Sequence, residues 1–123
     1  MTYISGFVIA VPRANKDAFI EHARSADPIF MEMGATRIVE AWEDDVPDGK
    51  QTDFRRAVQA TADEAVVFSW MEWPDKATSD AAMAKIMAPD FADPRMDPEK
   101  NPMPFDGKRM IFGGFEPVVE LGS

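Results

Sequence analysis

The stretch "AVVFSWMEWPDKATSDAAMAKIMA", Ala65 to Ala88, changes period partway along. Up to Trp73 the residues are mostly β-branched or aromatic, with Val66, Phe68 and Trp70 to one side and Val67, Met71 and Trp73 to the other. That is a strand with two apolar faces, and Pro74 ends it. From Asp75 onward Ala77, Ala81, Ala84 and either Ile86 or Met87 recur at helical spacing. The same succession occurs earlier in the chain. "YISGFVIAV", Tyr3 to Val11, is a strand closed by Pro12, and "KDAFIEHARSADPIFMEMG" follows as a helix capped by Asn15 and stopped by Gly34. Its stripe is Phe19, Ile20, Ala23, Ala26, Phe30 and Met33, and Pro28 is expected to kink or split it. Each half ends in a further strand, "TRIVEAWED" from Thr36 and "KRMIFGGFEPVVE" from Lys108. Two βαβ halves specify an α+β, ferredoxin-like split β-α-β fold: a four-stranded antiparallel sheet in the order 4-1-3-2, with two main helices on one face.

Between the halves, "DVPDGKQTD" is a loop and "FRRAVQA", Phe54 to Ala60, is read as a short strand turned by "TADE" into the Ala65 strand. Residues 89–107 carry five of the ten prolines and form an irregular loop within a single domain spanning 1–123. Two helices cover only one sheet face. Apolar residues drawn from Phe7, Ile38, Trp42, Phe68 and Trp70 would then lie on a bare face, which a soluble chain hides by packing sheet on sheet in a homodimer.

The charge balance narrows the partners. Twenty-two acidic against 13 basic residues leave a net charge of −9, and Arg55-Arg56 is a close basic pair with acidic residues around it along the chain. Binding to nucleic acid rests on clustered Lys and Arg, so none is expected. No apolar run approaches the roughly 20 residues of a membrane helix, and the N-terminal run lacks the basic flank and cleavage site of a signal peptide. A cytoplasmic protein without membrane attachment is the expectation. There is no cysteine and one histidine, too few for a conventional transition-metal site, so no metal or other cofactor is expected.

The stretches "GFVIAVP", "GATRIVEAWEDDVPDGKQTDFRRAV", "VVFSWMEWP" and "MPFDGKRMIFGGFE" together closely resemble the DUF1428 family of small bacterial proteins. "DVPDGK-TDFR" and "PFDGKRMI-GGFE" are the most distinctive pieces, and the likeness runs through nearly the whole chain. It implies the dimeric α/β-barrel architecture, in agreement with the repeat, and implies no activity. Other barrels of this fold keep a cleft between the sheet and its helices, which is where a small hydrophobic or carboxylate ligand would sit.

Candidate chemistry is sparse. His22, at the edge of the first helix's stripe, is a candidate general base, set against a half-buried structural role. Glu40 and Glu72 each interrupt an apolar strand; on neighbouring strands they would form a carboxylate pair with a raised pKa, and otherwise each pairs with an arginine. Trp42 and Trp70 could stack a flat ligand, and Arg55 or Arg109 could hold a carboxylate. Gly113 and Gly114, adjacent in the last strand at a sheet edge, point to close approach of a second chain and are placed at the dimer interface. The expected function is small-molecule binding or cofactor-independent catalysis in the sheet–helix cleft; the alternatives are a non-catalytic ligand-sensing barrel and a protein-interaction module.

Overall fold

The computed structural model describes residues 2–122. Strand β1 (Tyr3–Pro12) leads through a short 3-10 turn into helix α1 (Lys16–Glu32), followed by β2 (Arg37–Trp42). A short helix α2 (Phe54–Ala57) precedes β3 (Glu64–Trp73), helix α3 (Lys76–Ile86) and β4 (Ile111–Phe115). The sheet order is β2-β3-β1-β4 with every pair antiparallel, which is the ferredoxin-like order expected from the repeat.

Register decides what each face carries. Ile9 lies opposite Val67, Phe7 opposite Phe112, and Ile38 opposite Met71. Because side chains alternate along a strand, Ile9, Val11, Val67, Met71 and Trp73 share one face, and α1 and α3 cover it. Phe19 of α1 packs on Ile9, Val11 and Val67, while Ala82 of α3 packs on Met71 and Trp73. Trp73 is fully buried, and its indole N–H donates to Ser5 Oγ at 3.1 Å, so the large ring enters the core without an unpaired donor.

The opposite face is only partly covered. At one end Val66 and Ala10 pack under Val58, which follows α2. Beyond them Phe68 is 47% exposed and Phe115 59% exposed. Phe54, Phe68 and Trp70 form an aromatic row there, with ring centroids 5.9 and 5.7 Å apart. Of the five candidates for this bare face, Phe68 and Trp70 lie on it, while register places Phe7, Ile38 and Trp42 beneath the helices.

Three local expectations are corrected. "FRRAVQA" begins as helix α2 rather than a strand, because the Asp53 carboxylate accepts from Arg56 N–H at 2.7 Å and caps the turn. Pro28 does not split α1: the helix runs through it, and exposed Pro28 lies on the side facing a cleft, so the carbonyl deprived of its partner is not sealed in the core. Asn15 makes no side-chain cap; its amide donates instead to the Pro104 carbonyl at 2.9 Å. Gly34 does end α1, at φ +117°, where a Cβ would also strike Thr78. Between α3 and β4 lie two 3-10 turns, Pro94–Met96 and Gly107–Arg109, and among the described residues no helix is long and apolar enough to cross a membrane.

Candidate functional site

A cleft of about 690 Å³ runs between α1 and the edge strand β2. Helix periodicity supplies one wall: Lys16, Ile20, Arg24, Asp27 and Met31 recur every three or four residues. Strand alternation supplies the other, with Ile38, Glu40 and Trp42 on the helix-facing side of β2. The Trp42 ring stands 6.2 Å from Phe19, and the Lys16 ammonium lies 5.4 Å from its centroid. The lining is therefore largely apolar, with cationic side chains along it and two acids inside.

Those acids, Asp27 and Glu40, face each other. Oε1 of Glu40 is buried and receives no hydrogen bond from any ordinary donor. Burial pushes the Asp27 carboxyl up to about 8, reinforced by its hydrogen bond to Glu40 and by repulsion between the two charges. Two carboxylates cannot hydrogen-bond to each other, since neither has a proton. One proton held on Asp27 turns the contact into an O–H···O bond and supplies the donor Glu40 lacks. The pair is thus placed to share one proton. Among the described residues no group of three His, Cys, Asp or Glu side chains could hold a metal ion, so the pair is short of a metal site's donors.

The residues singled out in the sequence divide between the cleft and elsewhere. Glu40 and Trp42 line it. Glu72 does not join Glu40: the two project to opposite faces of the sheet. Glu72 accepts from the Trp70 indole at 2.9 Å and from Arg37 at 3.5 Å. Trp70 stands on the partly covered face beside Phe68. His22 bonds Asn101 through Nδ1 at 3.0 Å and meets the Phe105 ring edge-on, pinning the proline-rich loop to α1.

Both candidate arginines serve internal carboxylates. Arg55 bonds Glu43 at 2.8 Å and the Thr61 carbonyl at 2.6 Å. Arg109 makes two bonds to Glu64, at 2.7 and 2.6 Å. That fork holds the Glu64 carboxyl down to about 2, despite a burial that alone would raise it. Of the two glycines, Gly114 lies under the Tyr3 hydroxyl, where a Cβ would overlap it, and Gly113 lies opposite Gly6 beneath the Phe115 ring.

Asp27 was not singled out. The signal was present: an acid at the position where α1's apolar spacing turns toward β2, mirroring Glu40 in the strand. Arg24 and Lys16 follow from the same stripe.

Similarity to other proteins extends over the whole chain but stops at the fold. A structure titled as a dimeric ferredoxin-like protein from an uncultured marine organism superposes with a TM-score of 0.61 at 12% identity, covering 98% of each chain. The uncharacterized protein YbaA of Escherichia coli K12 is 57% identical over 120 residues, 98% of this chain and 99% of its own. The YbaA of Shigella flexneri matches equally. Residues 2–107 match the family described as a protein of unknown function, DUF1428. With that match and the near-complete alignment to YbaA, the chain belongs to the DUF1428 family.

Proposed function

We propose that the α1–β2 cleft binds a small, mainly apolar carbonyl compound and transfers protons on it without a cofactor. The observation that carries this reading is the Asp27–Glu40 pair: two partly buried carboxyls facing each other, with no salt bridge to either among the described residues, in a largely apolar cleft. A general acid and a general base must occupy opposite protonation states at one pH, and two carboxyls with unequal environments meet that need. Glu40 takes a proton from the carbon next to the ligand's carbonyl, and Asp27 gives its proton to the carbonyl oxygen, yielding the enol. Return of a proton to carbon and recovery of the Asp27 proton restore the starting state, so no oxidant or metal enters.

We also propose that the partly covered sheet face closes against a second copy, giving the α/β barrel. The exposed Phe68, Phe115 and Ile111 support it, as does the dimeric title of the structural relative. Gly113, on that face, would let the partner approach, and Gly114 follows it in the same edge strand.

Native mass spectrometry of the protein purified from its own cells tests both proposals. A stoichiometric small-molecule adduct on a dimer, lost in Trp42→Ala, is expected. An unliganded dimer, or an adduct that Trp42→Ala retains, overturns the cleft reading; a monomer overturns the barrel.

A further inference from the structure

Arginines in this chain are almost fully committed. Six of the seven hold a carboxylate at salt-bridge distance: Arg13, Arg37, Arg55, Arg56, Arg95 and Arg109. Arg24 is the exception among the described residues, in a protein of net charge −9 where acidic partners are plentiful. Asp27 lies one helical turn further along, yet no ion pair joins them. Arg24 is also one of the residues lining the cleft.

We infer that Arg24 is the seat for a carboxylate on the cleft's ligand, making that ligand an apolar oxo acid. The inference rests on the proposed proton-transfer reading and adds the substrate class. A guanidinium offers a planar fork that matches a carboxylate in two parallel hydrogen bonds. Three residues of helix separate Arg24 from Asp27, a rise of about 4.5 Å. A carboxylate on Arg24 therefore sets a carbonyl one or two bonds away beside Asp27, with the adjacent C–H toward Glu40. The apolar remainder extends along Ile20, Met31, Ile38 or Trp42. Lys16, also without an ion pair among the described residues and sitting over Trp42, adds to the positive potential along the cleft.

Calorimetric titration at pH 7 with 2-oxooctanoate and with 2-octanone separates the carboxylate from the rest of the ligand. The acid is expected to bind at least tenfold tighter. Arg24→Gln is expected to erase that preference while leaving the ketone's affinity unchanged, because among the described residues Arg24 has no ion-pair partner whose loss would disturb the fold. Lys85→Gln, removing an exposed charge on α3, is expected to keep the preference. Equal binding of acid and ketone, or a preference that survives in Arg24→Gln, overturns the carboxylate seat alone. Binding of neither probe overturns the seat and the cleft reading together.

Discussion

Among the carboxyls at least half out of water, two pairs are handled in opposite ways. Glu43 and Glu64, where β2 ends and β3 begins, are surrounded by donors. Burial alone would raise Glu43, but the Val66 N–H at 2.8 Å and the guanidiniums of Arg55 and Arg13 outweigh it and hold it below its ordinary value. Glu64 is clasped by Arg109 and by the Thr61 N–H at 2.8 Å. In the cleft, Asp27 and Glu40 have only each other, and burial wins. The same side-chain chemistry is therefore structural where its charge is satisfied and available for work where it is not.

The largest effect expected from this contrast is at Glu64. Glu64→Ala leaves the Thr61 N–H without its acceptor and Arg109 with only the Gln59 carbonyl and the exposed Asp106. Removing one partner of an enclosed pair is expected to lower stability by about 3 kcal/mol, the low end for such pairs because Arg109 keeps some contact with water. Urea unfolding at pH 7 measures it, and a loss under 1 kcal/mol would place Glu64 in the same unsatisfied class as Glu40.

Asp27 should behave with the opposite sign and in a different pH window. Its folded pKa is raised from the ordinary 3.8 to about 8, so the native state holds the proton more tightly than the unfolded chain does. The resulting stability is complete below pH 3.8, declines as pH rises, and is gone above about 8. Glu64 runs the other way: its contribution is full above the ordinary 4.5 and disappears as pH falls toward about 2. Asp27→Asn removes the alkaline decline only. The cleft is open to water, and Lys16, Arg24 and Arg37 line it alongside Glu40, so the gain at pH 9 is expected to be about 1–2 kcal/mol. Urea midpoints collected from pH 5 to 9 would refute the assignment if wild type and variant run parallel.

Much of this architecture was readable from residue order. Period-two alternation in "AVVFSWMEW", the two proline stops and the helical stripe of α1 suffice for the sheet order, and Glu40 was conspicuous as an acid between Ile38 and Trp42. Its partner was not. Glu72 matched it by type and strand position, but whether two strand residues share a face depends on register, and Arg37 lies opposite Glu72 while Glu40 lies opposite Ser69. Asp27 meets Glu40 only through the way α1 lies across β2, a tertiary fact that neither element's periodicity contains. The same limit applies to the pairing of Arg55 with Glu43 and of Arg109 with Glu64, 12 and 45 positions apart. Helix α2 escaped for a local reason: "TDFR" carries its cap in Asp53, and a cap outweighs weak strand character in so short a segment.

Glu40 and Glu43 allow a smaller, tighter comparison within one stretch of chain. Glu43→Gln weakens bonds to Arg13, Arg55 and the Val66 N–H, and is expected to lower stability by about 1.5 kcal/mol. Glu40→Gln removes no conventional hydrogen bond and brings an amide donor toward Asp27, so its expected change is within about 0.5 kcal/mol. Equal losses at the two positions would mean that the Glu40 carboxylate, like Glu43, is held by the fold.

The smallest effect belongs to His22, and it separates a polar group that anchors from one that reacts. Its imidazole touches Asn101 and the Phe105 ring, and Asn101 in turn donates to the Arg95 carbonyl at 2.7 Å, so the histidine ties α1 to the proline-rich loop rather than to the cleft. One hydrogen bond at a half-buried site is worth about 1 kcal/mol. His22→Ala is therefore expected to lower stability by about that much and to speed amide exchange in residues 97–105. Binding of 2-oxooctanoate should stay within a factor of two of wild type, since no atom of His22 lines the cleft. A larger fall in binding, with amide exchange unchanged, would move the proposed reactive centre away from Asp27 and Glu40 and toward the imidazole.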